Sequence, residues 1–229
     1  MAGREVSGSS DPVLEAIDLY RFYRAGDEET LALRGVSVWV ERGELVAVTG
    51  PSGSGKSTLL ACLAGLDDPS GGTVRLAGTR LSHRSETEKD RLRSGAIGVM
   101  TQSGNLVDHL TVRGNLRFAA TLSGRRRRVD LAEIARLVGL EDRIDAWPSE
   151  LSGGEAARAA LGVALSGAPL VLLADEPTGE LDSTSEQLVL GLLADSASRG
   201  VAIVIASHNP AVTSTADRVV SLSHGRVVS

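Results

Sequence analysis

Residues 50–58 read Gly50, Pro51, Ser52, Gly53, Ser54, Gly55, Lys56, Ser57 and Thr58, and this stretch constrains the chain more than any other. It satisfies the pattern G-x-x-x-x-G-K-[ST] in the context the pattern requires, after an apolar run at Glu44 to Thr49 and before a helical pattern at Lys56 to Ala64. The glycines at 50, 53 and 55 let successive backbone N–H groups turn inward around phosphate oxygens. The helix start adds about half a positive charge aimed at the same point. Lys56 is suited to neutralise terminal phosphates, and Ser57 to ligate a magnesium ion through its hydroxyl. The plainer alternative is a Gly-Ser loop ending in a surface lysine. Only two lysines stand among 24 basic residues, which gives the placement of Lys56 more weight than it would have in a lysine-rich chain.

A strand-loop-helix unit of this kind calls for a parallel sheet, and the rest of the chain supplies one. Val13 to Ile17, Val36 to Val40, Thr73 to Leu76 and Ile97 to Met100 read as strands. Leu170 to Leu173 and Val201 to Ala206 are continuous Val/Ile/Leu-rich runs, the pattern of strands buried on both faces, with a helix at Ser183 to Ser198 between them. The middle third differs. Thr111 to Leu122 and Val129 to Val138 carry helical spacing without a convincing strand, so this region reads as a helical insertion. Arg218 to Val228 reads as a hairpin turning at His224-Gly225, where the chain is expected to end without a regulatory extension. Residues 1–11 are expected to be a disordered tail ahead of a single domain at 12–229.

Two further segments carry chemistry. Leu170 to Pro177 is an apolar strand ending in two carboxylates and a proline. Adjacent carboxylates are costly to bury unpartnered, so they are expected at the strand's C-terminal edge, facing a cation or solvent. There Asp175 suits a magnesium shell, and Glu176 suits the group that orients or deprotonates an attacking water. A solvated loop after a core strand is the alternative. Leu151, Ser152, Gly153, Gly154 and Glu155 open a helix running towards Leu165. Ser152 is a good N-cap and the glycines expose N–H groups, which makes a second anion site; a capping box of Ser152 and Glu155 alone explains the same residues.

In this order the elements resemble the ATP-binding cassette (ABC) ATPases, from Val13 onward. The resemblance implies an α/β fold: a P-loop NTPase, RecA-like parallel-sheet core with an N-terminal antiparallel β subdomain and an inserted α-helical subdomain. It divides the chain into a core lobe (12–102 and 166–229) and a helical subdomain (103–165). It also implies ATP and Mg²⁺ as ligands and a homodimer sandwiching two nucleotides, with Leu151 to Glu155 of one subunit meeting the γ-phosphate on the other. By position, Gln102 is implied to sense magnesium and the attacking water, Leu181 and Asp182 to belong to a loop at the dimer interface, and His208 to stand by the γ-phosphate. Tyr23, one of six aromatic residues, is implied to stack on adenine.

Pro148 to Glu155 and Ala174 to Asp182 are most similar to the branch of lipoprotein-releasing and macrolide-exporting ATPases. That branch implies a separate ATPase bound to a membrane permease, received at about Ser103 to Gly114. Several positions depart from the branch: Glu180 replaces an asparagine, Ala156 and Ala157 stand where glutamine-rich sequence is common in the branch, and Thr101 replaces an aromatic. Slower turnover is the expected consequence. Other members act as regulatory scaffolds in cell division, or as soluble ATPases of translation or DNA maintenance. The last usually carry paired cassettes or coiled-coil arms, and the interval from Lys56 to Leu151 shows no heptads.

Composition narrows the setting. A net charge of −5 argues against a surface that coats nucleic acid. The longest apolar runs fall far short of the ~20 residues of a membrane span. The start lacks the apolar run of a secretory signal, and the single Cys62 builds no disulfide framework, so the expected location is cytoplasmic and peripheral to the inner membrane face. Cys62 reads as a core residue. His83, His109 and His224 lack metal-like spacing and read as surface or turn residues, and Arg125 to Arg128 as a solvated charged loop.

Overall fold

A computed structural model describes residues 11–25, 28–102, 105–123 and 130–228. Apart from Asp11, the tail expected over 1–11 lies outside the described residues, as do Ser103 and Arg125 to Arg128.

Two sheets form the frame. The first has the order β2-β1-β4-β5 and is antiparallel, built from β1 (Leu14–Ala25), β2 (Glu28–Val40), β4 (Gly71–Leu76) and β5 (Thr79–Arg80). The second has the order β10-β9-β3-β8-β7-β6, from β3 (Leu45–Thr49), β6 (Ile97–Met100), β7 (Val171–Asp175), β8 (Ala202–Ala206), β9 (Arg218–Ser223) and β10 (Arg226–Val227). All its pairings are parallel except the terminal β9–β10 hairpin.

The parallel sheet is buried on both faces, as its continuous apolar strands require. Side chains alternate along each strand. Val46, Val48, Val171, Leu173 and Val204 face the cluster shared with β1, β2, β4 and α1 (Lys56–Leu63). Leu45, Ala47, Leu172, Ile203 and Ile205 face the cluster shared with α3 (Val112–Leu122), α5 (Gly153–Leu165) and α6 (Ser183–Ser198). Each fully buried aliphatic side chain contributes about 1.5–3 kcal/mol, so the sheet anchors the layers on both sides. Cys62 is in the first cluster, where burial pushes its thiol up to about 12, the state of an inert core cysteine.

The helices begin where short polar side chains can cap them. The Thr111 hydroxyl accepts from Gly114 N–H at 3.2 Å at the start of α3. Asp130 accepts from Ala132 and Glu133 N–H groups ahead of α4 (Leu131–Leu137). α4 therefore starts later than the expected Val129, which lies outside the described residues.

Several elements run beyond their expected limits or were not expected. β1 continues to Ala25 because register shifts near Asp18, which has φ 51°, break the alternation after Ile17. The first half of β2 is too polar to show an apolar pattern. α2 (Glu86–Arg93) is almost wholly charged, and its readable signal is the Ser85–Glu88 capping box. α7 (Pro210–Thr215) starts with Asn209 as its cap and a proline at its first position.

The second lysine, Lys89 of α2, is almost fully buried and binds Asp68 at 3.0 Å and Glu86. Asp68 also accepts the His83 N–H at 2.9 Å. Partial burial pushes the Asp68 carboxyl up, but the His83 N–H and Lys89 outweigh this and hold it below the ordinary carboxylate value. The stabilisation exists above the unfolded pKa and is lost as pH falls through the lower folded one. The stability difference between wild type and Asp68→Asn should shrink as pH is lowered from about 5 to about 2 in urea unfolding. A difference independent of pH would contradict the ion pair.

β6 lies close under α5. A Cβ on Gly98 would stand 2.4 Å from the Ala164 carbonyl oxygen, so strand and helix backbones approach as no other residue permits. Gly98→Ala is expected to destabilise the fold by about 2 kcal/mol, read as a lower urea midpoint. An unchanged midpoint would show that the two elements part at no cost.

Candidate functional site

Strand order decides which residues meet. Along the C-terminal edge of the parallel sheet, β3 leads into the glycine-rich loop, β8 into His208, β7 into Asp175 and Glu176, and β6 into Gln102. Lys56, Ser57, Gln102, Asp175, Glu176 and His208 all line one cavity of about 790 Å³. Tyr23 lines it too, together with Pro51, Ser52, Gly53, Gly55 and Thr58.

The loop's backbone follows from its glycines. Gly50 has φ 147°, and a Cβ there would sit 2.2 Å from the Leu222 carbonyl oxygen of β9, so a larger residue would push the loop off the sheet. Lys56 is buried and its ammonium donates to the Gly50 carbonyl at 2.8 Å and the Pro51 carbonyl at 3.2 Å, which holds it across the mouth of the loop. Ser57 is exposed in the first turn of α1. Gly50 and Ser54 belong to the loop but do not line the cavity, and the Ser54 side chain is buried.

Glu176 occupies a left-handed conformation, φ 47°, uncommon for a residue with a side chain. Its Oε2 accepts from the Ser207 hydroxyl at 2.7 Å, and its Oε1 lies 2.7 Å from His208 Nδ1. Burial pushes its carboxyl up; the bonds to His208 and Ser207, with Lys56 nearby, outweigh that and keep it below the ordinary value. Glu176 is thus a carboxylate near neutral pH, able to accept a proton. Asp175 Oδ1 is buried with no hydrogen-bond partner, which suits a cation ligand. Among the described residues no three His, Cys, Asp or Glu side chains are grouped to hold a metal, so an ion beside Asp175 would draw on the Ser57 hydroxyl, the Gln102 amide and phosphate oxygens.

Tyr23 is held by contacts that its sequence position did not disclose. Its hydroxyl donates to Asp67 Oδ2 at 2.8 Å, Arg21 binds the same carboxylate at 2.7 and 2.8 Å, and the Arg21 guanidinium lies over the Tyr23 ring at 4.6 Å. One ring face is thereby covered and the ring orientation fixed.

Leu151, Ser152, Gly153, Gly154 and Glu155 do not line this cavity. They form the start of α5, where Ser152 and Glu155 make the capping box: the Ser152 N–H donates to Glu155 at 2.8 Å and the Glu155 N–H to the Ser152 hydroxyl at 3.2 Å. Arg143 Nε lies 3.2 Å from Glu155 and offsets its charge at the helix tip. Asp182 caps α6, accepting from Thr184 and Ser185 N–H groups at 3.0 Å each, and Leu181 is half-buried beside it.

His83 and His109 are exposed in turns. His224 also lies in its expected turn, and it lines the cavity with Gly225, Arg34 and Ala32, none of which belongs to a recognisable motif. Their approach depends on β9 and β2 meeting the loop, and no local pattern encodes that.

Comparison with known proteins agrees with this geometry. The ABC transporter family matches residues 33–179. The macrolide export ATP-binding/permease protein MacB of Shigella flexneri is 40% identical over 220 residues, 95% of this chain and 34% of that protein. MacB of Escherichia coli (strain K12) is 39% identical over the same shares. The chain thus spans about a third of the length of these relatives. The dimeric structure of MJ0796, described as a bacterial ABC transporter cassette, matches with a TM-score of 0.86 at 30% identity, covering 94% of this chain and 97% of that one. A post-hydrolysis dimer of MJ0796 bound to ADP and Pi matches with a TM-score of 0.87, also at 30% identity. Matched along most of its length by one family and by a cassette of nearly equal extent, the chain belongs to the ABC transporter family.

Proposed function

We propose that the chain binds and hydrolyses MgATP as the ATPase cassette of a transporter, closing as a homodimer around two nucleotides. The observation that carries this reading is the convergence of Lys56, Asp175, Glu176, Gln102 and His208 on one cavity under a glycine-rich loop. The loop's N–H groups and Lys56 bind the triphosphate, and Tyr23, braced by Arg21 and Asp67, presents its other ring face to adenine. Ser57, Gln102 and Asp175 would hold Mg²⁺, which supplies charge neutralisation at the terminal phosphates. Glu176 accepts the proton of the attacking water. His208, tied to Glu176 through Nδ1, has its other ring nitrogen for a γ-phosphate oxygen.

The separation of Ser152 from the cavity of its own chain supports a site completed by the partner's helix tip, with Leu181 and Asp182 at the same interface. Both MJ0796 structures are dimers. Residues 103–165 form the helical unit of this reading and 12–102 with 166–229 the core lobe. The permease is received at about Ser103 to Gly114, and the joined permease in MacB favours transport over translation or DNA maintenance. Among the described residues no helix is long and apolar enough to cross a membrane; in this reading the cassette sits at the cytoplasmic face of a membrane permease.

Glu176→Gln is expected to keep ATP binding, lower steady-state phosphate release by ~10²-fold or more, and accumulate an ATP-bound dimer on gel filtration. Unchanged turnover would remove Glu176 from the role given to it.

A further inference from the structure

The hydrolytic groups all stand to one side of the glycine-rich loop. Glu176, His208 and Gln102 follow β7, β8 and β6, which succeed β3 in the sheet. β9 lies on the other side of β3, and its turn to β10 brings His224 and Gly225 into the cavity wall opposite those groups. The turn is fixed there. Gly225 N–H donates to the Ser54 carbonyl at 3.0 Å, Arg34 N–H donates to the Gly225 carbonyl at 2.8 Å, and a Cβ on Gly225 would meet the Ala32 carbonyl oxygen at 2.6 Å. The hairpin therefore touches the loop and β2 at once. His224 itself has φ 48°, a conformation that glycine or asparagine adopts more readily. The cavity's lining carboxylates, Asp175 at the end of β7 and Glu176 just after it, are on the hydrolytic side, so the β9 and β2 wall offers His224 and Arg34 as donors.

We propose that His224, with Arg34 beside it, is a nucleotide-binding residue for the proximal end of the chain of phosphates, at the α-phosphate and ribose. The inference rests on the MgATP reading and extends it. A ring N–H donates to an anionic oxygen in either tautomer of the imidazole, and such a bond is among the stronger ones. Because the contact is at the end remote from Glu176, it serves ATP and ADP alike.

The test uses calorimetric titration of the full chain with MgATP and with MgADP, comparing wild type, His224→Asn and His224→Asp. The two replacements have nearly the same shape and both tolerate a left-handed backbone, so a structural disturbance would affect them equally. His224→Asn should weaken both nucleotides by about fivefold, and His224→Asp by about fivefold more, a gap that narrows in high salt. Weakening of ATP alone would move the contact to the γ-phosphate and overturn the assignment. Equal weakening by Asn and Asp, or none, would overturn it as well. Wild type that binds neither nucleotide would remove the MgATP reading, whereas wild-type binding with unaffected variants would remove only this inference.

Discussion

The site depends on a parallel sheet that is apolar on both faces. Because the inner strands must be covered above and below, every crossover leaves the sheet at the same edge, and the loops after β3, β6, β7 and β8 are gathered there whatever their distance in sequence. The glycine-rich loop, two carboxylates, a glutamine and a histidine become neighbours through that constraint. Side-chain bonds then set their state: the Lys56 ammonium bridges loop carbonyls, and Glu176 is kept ionised by Ser207 and His208.

Charge is distributed along the same edge with a purpose that strand order makes visible. Among the described residues the cavity's carboxylates stand only on the β7 side, where a metal and a water would need them, and the β9 and β2 side contributes His224 and Arg34. The start of α5, which also offers N–H groups, lies away from the cavity and is stabilised by its own capping box and by Arg143. On the proposed reading, that separation leaves the start of α5 to the nucleotide of a second copy. The two lysines divide between these levels of organisation: Lys56 at the loop, Lys89 in a buried ion pair that ties α2 to the segment after α1.

Much of this was legible in the residues. The inner strands showed as unbroken aliphatic runs because burial on both faces allows no polar alternation, and the glycine-rich loop showed because phosphate binding dictates its spacing. Tyr23, Gln102 and His208 came from resemblance, and their cavity lining came from the structure. What could not be read was contact between distant segments. The Asp67 bond to Tyr23 and the seating of His224 beside the loop join parts of the chain that share no pattern. α2 escaped notice because its charged sequence has no apolar period, and the polar half of β2 because its partner strand, rather than its own composition, holds it in the sheet.

On the proposed reading the backbone cradle around Lys56 binds a magnesium nucleotide. Titration of wild type and Lys56→Ala with MgATP, at equal protein concentration, tests it most directly. Wild type should show saturable binding near one nucleotide per chain, weakened by about 10²-fold or more when the ammonium is removed. No saturable binding in wild type, or equal affinity in the two proteins, would contradict it.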